Sequence, residues 1–87
     1  MEEMIGMTDN QKAVIIKKLE KWNTYLKNLQ KGEKDSLLLE HVQMELADCS
    51  EALNIINTNS TQISRRRASR CIDAPAQNIL LILKAEL

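Results

Sequence analysis

The residues best suited to chemistry in this 87-residue chain are its arginines, which all lie between Ser60 and Cys71. They are Arg65, Arg66, Arg67 and Arg70. A guanidinium group presents a planar fork of donors that can bind a phosphate or a carboxylate through two hydrogen bonds. On a helix, Arg66 and Arg70 share one face, and Arg67 lies three residues before Arg70. The spacing therefore predicts a binding site for an anionic ligand or an acidic protein surface.

The same window resembles the second half of a helix-turn-helix motif. In this interpretation Ile63 anchors the recognition helix, and polar residues from Ser60 onward, including Gln62, face the groove of DNA. Two residues depart from the pattern, because Leu53 replaces the usual small residue and Arg66 replaces a later apolar anchor. A DNA-binding regulator that uses residues 60–70 is therefore the alternative hypothesis, and Gln62 joins the four arginines as a predicted binding residue.

Two further interpretations of the window remain open. The tetrapeptide from Arg66 to Ser69 resembles the sequence preferred by basophilic kinases, which would make Ser69 a phosphorylation site. The arginines can also pair with acidic residues inside the fold, or be solvated.

The net charge of zero hides three blocks of alternating sign. From Asp9 to Lys31 there are six lysines and two acidic residues, which gives +4. Between Ser36 and Asn59 there are four acidic residues and no lysine or arginine, which gives −4. The arginine window, from Ser60 to Cys71, carries +4. These blocks bear on the choice of partner more than the sum does, and the acidic segment is a candidate internal partner for the arginines.

The remaining residues give no pattern typical of an enzyme. We find no glycine-rich phosphate loop, no Ser/His/Asp set and no paired carboxylates. His41 and Glu45 make at most half of a metal site, and Cys49 and Cys71 lack metal-ligand spacing. We expect no catalytic residue, no metal and no cofactor. The acidic start "MEEMIGM" and the absence of an apolar run of about 20 residues favour a cytoplasmic protein with reduced thiols and no membrane contact.

Two long helices should carry most of the core. Thr8 and Gln11 form a capping-box pattern, and the helix that they open should end near Lys31, with Gly32 in a left-handed conformation. Its apolar residues recur at spacings of four and three: Ile15, Leu19, Trp22, Leu26 and Leu29. A second helix, capped by Asp35 or Ser36, carries a similar stripe: Leu39, Val42, Leu46, Cys49, Leu53 and Ile56. Such stripes predict an antiparallel hairpin.

One or two shorter helices should follow the hairpin. The polar run 57–61 predicts a break in the second helix, and a third helix with the arginines should start near Asn59 or Ser60. Pro75 should end or kink it, with Asp73 as a possible cap of the last segment. That segment is apolar on more than one side, which predicts burial against another subunit. The predicted interface residues are Ile79, Leu80, Leu83 and Leu87.

Together these patterns predict an all-α fold, a small bundle of three or four helices. Residues 1–7 should form a flexible tail and residues 8–87 one domain. We expect a homo-oligomer, with a dimer favoured. The leading hypothesis for function is a non-enzymatic regulatory or inhibitory binding protein, of the size typical of phage or mobile-element accessory proteins. Its partner would be a protein or a phosphate-bearing ligand.

Overall fold

A computed structural model describes residues 6–85 as a bundle of four α-helices, which confirms the predicted fold class. The helices are α1 Asp9–Gly32, α2 Ser36–Asn59, α3 Arg65–Asp73 and α4 Ile79–Ala85, and a 3₁₀ turn, Ala76–Asn78, precedes α4. The two long helices form the predicted hairpin, and the shorter helices pack on it.

The start of α1 confirms the predicted capping box. The Gln11 backbone N–H donates to the Thr8 hydroxyl (3.1 Å), and the Thr8 N–H donates to the Gln11 side-chain oxygen (3.0 Å). At the other end the prediction for Gly32 was wrong, because no described glycine has a positive φ. Gly32 is the last helical residue, and Glu33 turns the chain into an extended conformation (φ −86°, ψ 134°). This exit leads directly to Asp35, which caps α2 by accepting from the Leu37 N–H (2.9 Å).

The hairpin core follows the two apolar stripes. Its fully buried side chains on α1 include Ile15, Leu19 and Leu26, and those on α2 include Cys49 and Ile56. The predicted break at 57–61 is confirmed in its second part, because α2 continues to Asn59 and a turn follows from residue 60.

The third helix begins later than predicted. α3 starts at Arg65, and Ser64 caps it by accepting from the Arg67 N–H (3.1 Å). The residues before Ser64 form a turn in which Ile63 is fully buried and donates its N–H to the Asn59 carbonyl (3.2 Å). Burial of this isoleucine fixes the turn and leaves the cap to the next serine. Asp73 is the last residue of α3 rather than the cap of the following segment.

Gly6 and Met7 are held by backbone hydrogen bonds, whereas we predicted a flexible tail for residues 1–7. The Met7 N–H donates to the Ile63 carbonyl (2.7 Å), and Gly6 forms an isolated antiparallel bridge with Ser64. These bonds tie the segment before α1 to the turn before α3. Residues 1–5 of the predicted tail lie outside the described residues.

The short helices pack at one end of the hairpin. α3 packs against α1 and α4, α4 packs against α2, and the 3₁₀ turn packs against α1. With nine and seven residues they are about 14 and 10 Å long, against about 36 Å for each 24-residue helix of the hairpin. We call the covered end of the hairpin proximal and the end with the loop 33–35 distal. The molecule is accordingly elongated, at 54 × 21 × 21 Å.

Candidate functional site

The arginine cluster is divided by α3 into an exposed set and one buried residue. Arg65, Arg66 and Arg70 are exposed, whereas Arg67 is only 7% exposed and lies on the buried side of the helix with Ala68. Gln62 is exposed in the preceding turn, so it is not part of the helix that carries the arginines. The structure thus brings three of the five predicted binding residues to the surface of one helix.

The helix with the arginines does not lie along the acidic helix. α3 packs against α1 and α4, while Glu51 of α2 forms an ion pair with Lys84 of α4 (3.2 Å). Arg65 and Arg66 occupy the first turn of α3, where the positive end of the helix dipole disfavours cations. Their position therefore costs stability rather than contributing to it.

Polar side chains of α1 hold both ends of α3. At its start, the Gln11 side-chain amide donates to the Ser69 hydroxyl (3.2 Å) and to the Arg65 carbonyl (3.4 Å). Ser69 is therefore an exposed helical residue with a hydrogen bond to α1. At its end, the Lys18 ammonium donates to the carbonyls of Ile72 (2.6 Å) and Ala74. A cation at a helix C-terminus compensates the last carbonyls and the negative end of the dipole.

Both cysteines lie in the core. Cys49 is 2% exposed and donates its thiol to the Leu19 carbonyl (3.1 Å), and burial raises the pKa of this thiol. A buried thiol with a raised pKa is a poor nucleophile, which agrees with the expected core role of Cys49. Cys71 is fully buried.

Three of the four residues predicted for a subunit interface are buried in the core of the single chain. Ile79 and Leu83 are fully buried and Leu80 is 9% exposed, all three within the hydrophobic core that α4 shares with α1, α2 and α3. Leu87 lies outside the described residues. An oligomer contact through the three buried residues would require α4 to leave the bundle. The homo-oligomer itself stays a prediction.

An open groove between α1 and α2 in the distal half is the surface that the sequence patterns did not predict. We call it the distal groove, and its volume is about 420 Å³. Its wall on α1 is formed by Trp22, Tyr25, Leu26 and Leu29. Its wall on α2 is formed by Leu38, His41, Val42 and Glu45.

Several apolar side chains of the distal groove are exposed. Tyr25 is 54% exposed, Leu38 49% and Leu29 38%. Trp22 is half-buried and stacks on Tyr25, with the ring centroids 5.6 Å apart and the ring planes 19° apart. We placed Trp22 and Leu29 in a core stripe, but α3 and α4 are too short to cover the stripe to its distal end. The sequence signal for this surface is the unequal length of the predicted helices, two long and one or two short, from which we did not infer an uncovered end.

The groove begins where the site of α4 ends. A smaller cavity of about 130 Å³ is lined by both long helices, by Leu80 of α4 and by the 3₁₀ turn, and Trp22 and Glu45 line this cavity as well as the distal groove. The two spaces are therefore consecutive parts of one cleft between α1 and α2. Its proximal part is covered by α4, which packs on α2, and by the 3₁₀ turn, which packs on α1, and its distal part is open.

The chain matches no family model, no curated protein and no solved structure. Within residues 6–85, no group of three His, Cys, Asp or Glu side chains is placed to hold a metal ion. None of the helices in that range combines the length and the apolar character needed to cross a membrane.

Proposed function

We propose that this chain is a non-enzymatic regulatory or inhibitory protein of the cytoplasm that acts by binding a partner protein through the distal groove. The observation that carries the proposal is the exposed apolar surface formed by Tyr25, Leu29 and Leu38 beside the half-buried Trp22. Tryptophan and tyrosine are enriched where binding energy concentrates, and contiguous apolar patches on a small protein mark interaction sites. The size of the chain is typical of accessory proteins of phages and mobile elements.

The exposed arginines support a second, anionic contact at the proximal end. Arg65 adjoins Gln11 at the start of α1, and Trp22 lies eleven residues farther along that helix, or about 16 Å. The two surfaces are therefore separate. Arg65 and Arg66 stand where the helix dipole opposes them, and an acidic protein surface or a phosphate group bound there would account for arginines at such positions.

Affinity purification from the native host tests the proposal. We expect the partner to be retained by the wild-type chain and by Leu37→Glu, and to be lost with Leu38→Glu. Leu37 is a suitable control because it is adjacent, 72% exposed and outside the groove. The double variant Arg66→Ala/Arg70→Ala should weaken retention without abolishing it. Identical sets of proteins with all four chains would contradict a function based on the groove.

A helix-turn-helix DNA regulator is the alternative hypothesis. It needs the polar residues before Arg65 on a recognition helix, whereas Ser60–Ser64 form a turn here and α3 packs against α1 and α4. We therefore favour the protein-binding function. Titration with duplex DNA at low salt separates the two, because a DNA reader should lose about one unit of salt slope for each phosphate-contacting arginine removed.

A further inference from the structure

We infer that the distal groove binds an amphipathic α-helix of the partner, and that this helix carries acidic residues along one flank and basic residues along the other. The inference rests on the proposed function and adds the chemistry of the partner to it. The shape of the cleft, the charge of its two rims and the geometry that a second copy would require all favour such a helix.

The cleft suits a helix because short helical elements of the chain already cover its proximal part, with α4 packed on α2 and the 3₁₀ turn packed on α1. Leu80 of α4 lines the proximal cavity together with residues of both long helices, and Trp22 and Glu45 line that cavity and the distal groove. Helices that pack on one another lie about 8–10 Å apart, a distance set by their side chains. A short helix bound beyond α4 would lie on α1 and α2 and would cover their distal half as α3 and α4 cover their proximal half. Unpartnered apolar grooves of this kind take helices with anchors at i, i+4 and i+7.

The length of the exposed wall sets the length of the partner helix. Trp22 and Leu29 mark its ends on α1 and are about 10 Å apart along the helix axis. Two to three helical turns of the partner therefore span it, with one apolar anchor for each turn.

The two rims of the groove carry opposite charge. On the α1 side, Lys21 is exposed and lines a shallow pocket next to Trp22 and Tyr25. It also lines a second pocket next to Tyr25 with Lys17 and Glu20, so the α1 rim is basic on balance. On the α2 side, Glu45 lines the groove and Asp48 lines the adjoining cavity. Within residues 6–85 no ion pair joins Lys21 to either acid across the cleft. Acidic residues of a partner facing Lys21, and basic residues facing Glu45 and Asp48, would match this pattern.

A second copy of the chain matches the rims poorly. α3 and α4 cover the proximal half of this face, so two copies can meet groove to groove only when their hairpins run antiparallel. A twofold axis across the helices then sets α1 against α1 and α2 against α2. The basic block would face a basic block, and the acidic block an acidic one, which disfavours the dimer. A different chain with both signs of charge avoids this repulsion.

Three synthetic peptides test the inference directly. Each is an 18-residue helix with the same leucine stripe and no aromatic residue. One has glutamates on one flank and lysines on the other, one has lysines on both flanks, and one has glutamates on both. Trp22 is the only tryptophan of the chain and lies in the groove, so its fluorescence reports binding. We expect the mixed peptide to bind about tenfold more tightly than either other peptide, as a few partly exposed ion pairs would give.

Variants locate the peptide on the protein. Leu38→Glu should abolish binding of the mixed peptide, whereas Leu37→Glu should leave its affinity within about twofold of wild type. Equal affinity for the three peptides, or equal loss in the two variants, would overturn the inference. So would sedimentation of the unliganded protein as a dimer that Leu38→Glu dissociates, or quenching of Trp22 by a thymidine oligonucleotide with all three peptides inactive.

The outcome is distinguishable from failure of the proposed function. A photo-crosslinker in place of Leu38 tests whether the native partner contacts the groove, whatever the shape of that partner. Crosslinks to a partner without peptide binding would contradict the inference of a helical ligand but would still support the protein-binding function. Loss of both signals would overturn both proposals.

Discussion

Gly6 shows, at the scale of one residue, why a glycine is needed close to the turn before α3. A methyl group at its Cα would lie 2.5 Å from the Thr61 carbonyl oxygen and 3.0 Å from the Thr61 carbonyl carbon. Both are backbone atoms, which cannot rotate away as a side chain can. The requirement comes from close approach rather than from backbone conformation, since no described glycine has a positive φ.

Gly6→Ala should therefore destabilise the protein by about 1–3 kcal/mol, the cost of forcing an extra carbon into a packed site. The free energy of unfolding from urea denaturation measures it. Gly32→Ala is the matched control, because nothing lies within 4 Å of the added methyl group. That variant should be neutral or more stable by up to about 1 kcal/mol, because alanine is the better helix former. Equal losses in the two variants would show that the contact with Thr61 is not formed.

At the scale of elements, α3 depends on α1 for its position. It has nine residues, and an isolated helix of that length is marginal in water. Gln11 bonds to its first half and Lys18 to its last carbonyls, while Ala68 and Cys71 supply its buried side. The helix that presents the exposed arginines is therefore fixed mainly by tertiary contacts.

Lys18→Met should lower the free energy of unfolding by about 1–2 kcal/mol, because it keeps the aliphatic stem and removes the charged donor to the Ile72 and Ala74 carbonyls. Lys17→Met removes the same charge from an exposed neighbour and should stay within about 0.5 kcal/mol of wild type. Thermal and urea unfolding both measure the difference. A similar effect of the two substitutions would mean that general charge, and not the end of α3, is responsible.

Local signals in the sequence were enough to predict the hairpin. Thr8 with Gln11, Asp35 as a cap and the two apolar stripes each act over a few residues, and the structure contains them. The start of α3 could not be read in this way. Ser60 and Ser64 are both suitable caps, and burial of Ile63 in the core beside Met7 decides between them.

The sequence does not show which surface covers the apolar residues of α4. Apolar residues on several sides indicate burial, but not whether the cover comes from the same chain or from another. In the structure Ile79 and Leu83 are covered by the hairpin, and Leu81 is left 68% exposed. The distal groove was similarly hidden, because heptad spacing identifies a stripe without showing where its cover ends.

At the scale of the whole molecule, stability should be unevenly distributed along the hairpin. The proximal half contributes Ile15, Leu19, Cys49 and Ile56 to a core shared by all four helices. In the distal half the buried side chains of the long helices are Leu26 and Val42. Segments with few buried apolar contacts open at lower free energy.

Amide hydrogen exchange should therefore be faster in residues 24–44 than in residues 13–20 and 49–57. Peptide-level deuterium uptake measured by mass spectrometry resolves these segments. Addition of the mixed-charge peptide should slow exchange in the distal segment alone. Uniform protection along α1 and α2 in the unliganded protein would contradict the unequal distribution.

The hydrogen bonds that connect the start of the chain with α3 also affect the order of folding. The Met7–Ile63 and Lys18–Ile72 bonds join residues 56 and 54 positions apart, whereas the hairpin closes through a three-residue loop. The entropy lost on closing a long loop makes such contacts slow to form, so α1 and α2 can pair before α3 packs on α1. During that interval the apolar cleft would be open along its whole length. A newly made chain would therefore expose more of this surface than the finished fold does, and α4 would then compete with any other amphipathic helix for the proximal part of the cleft.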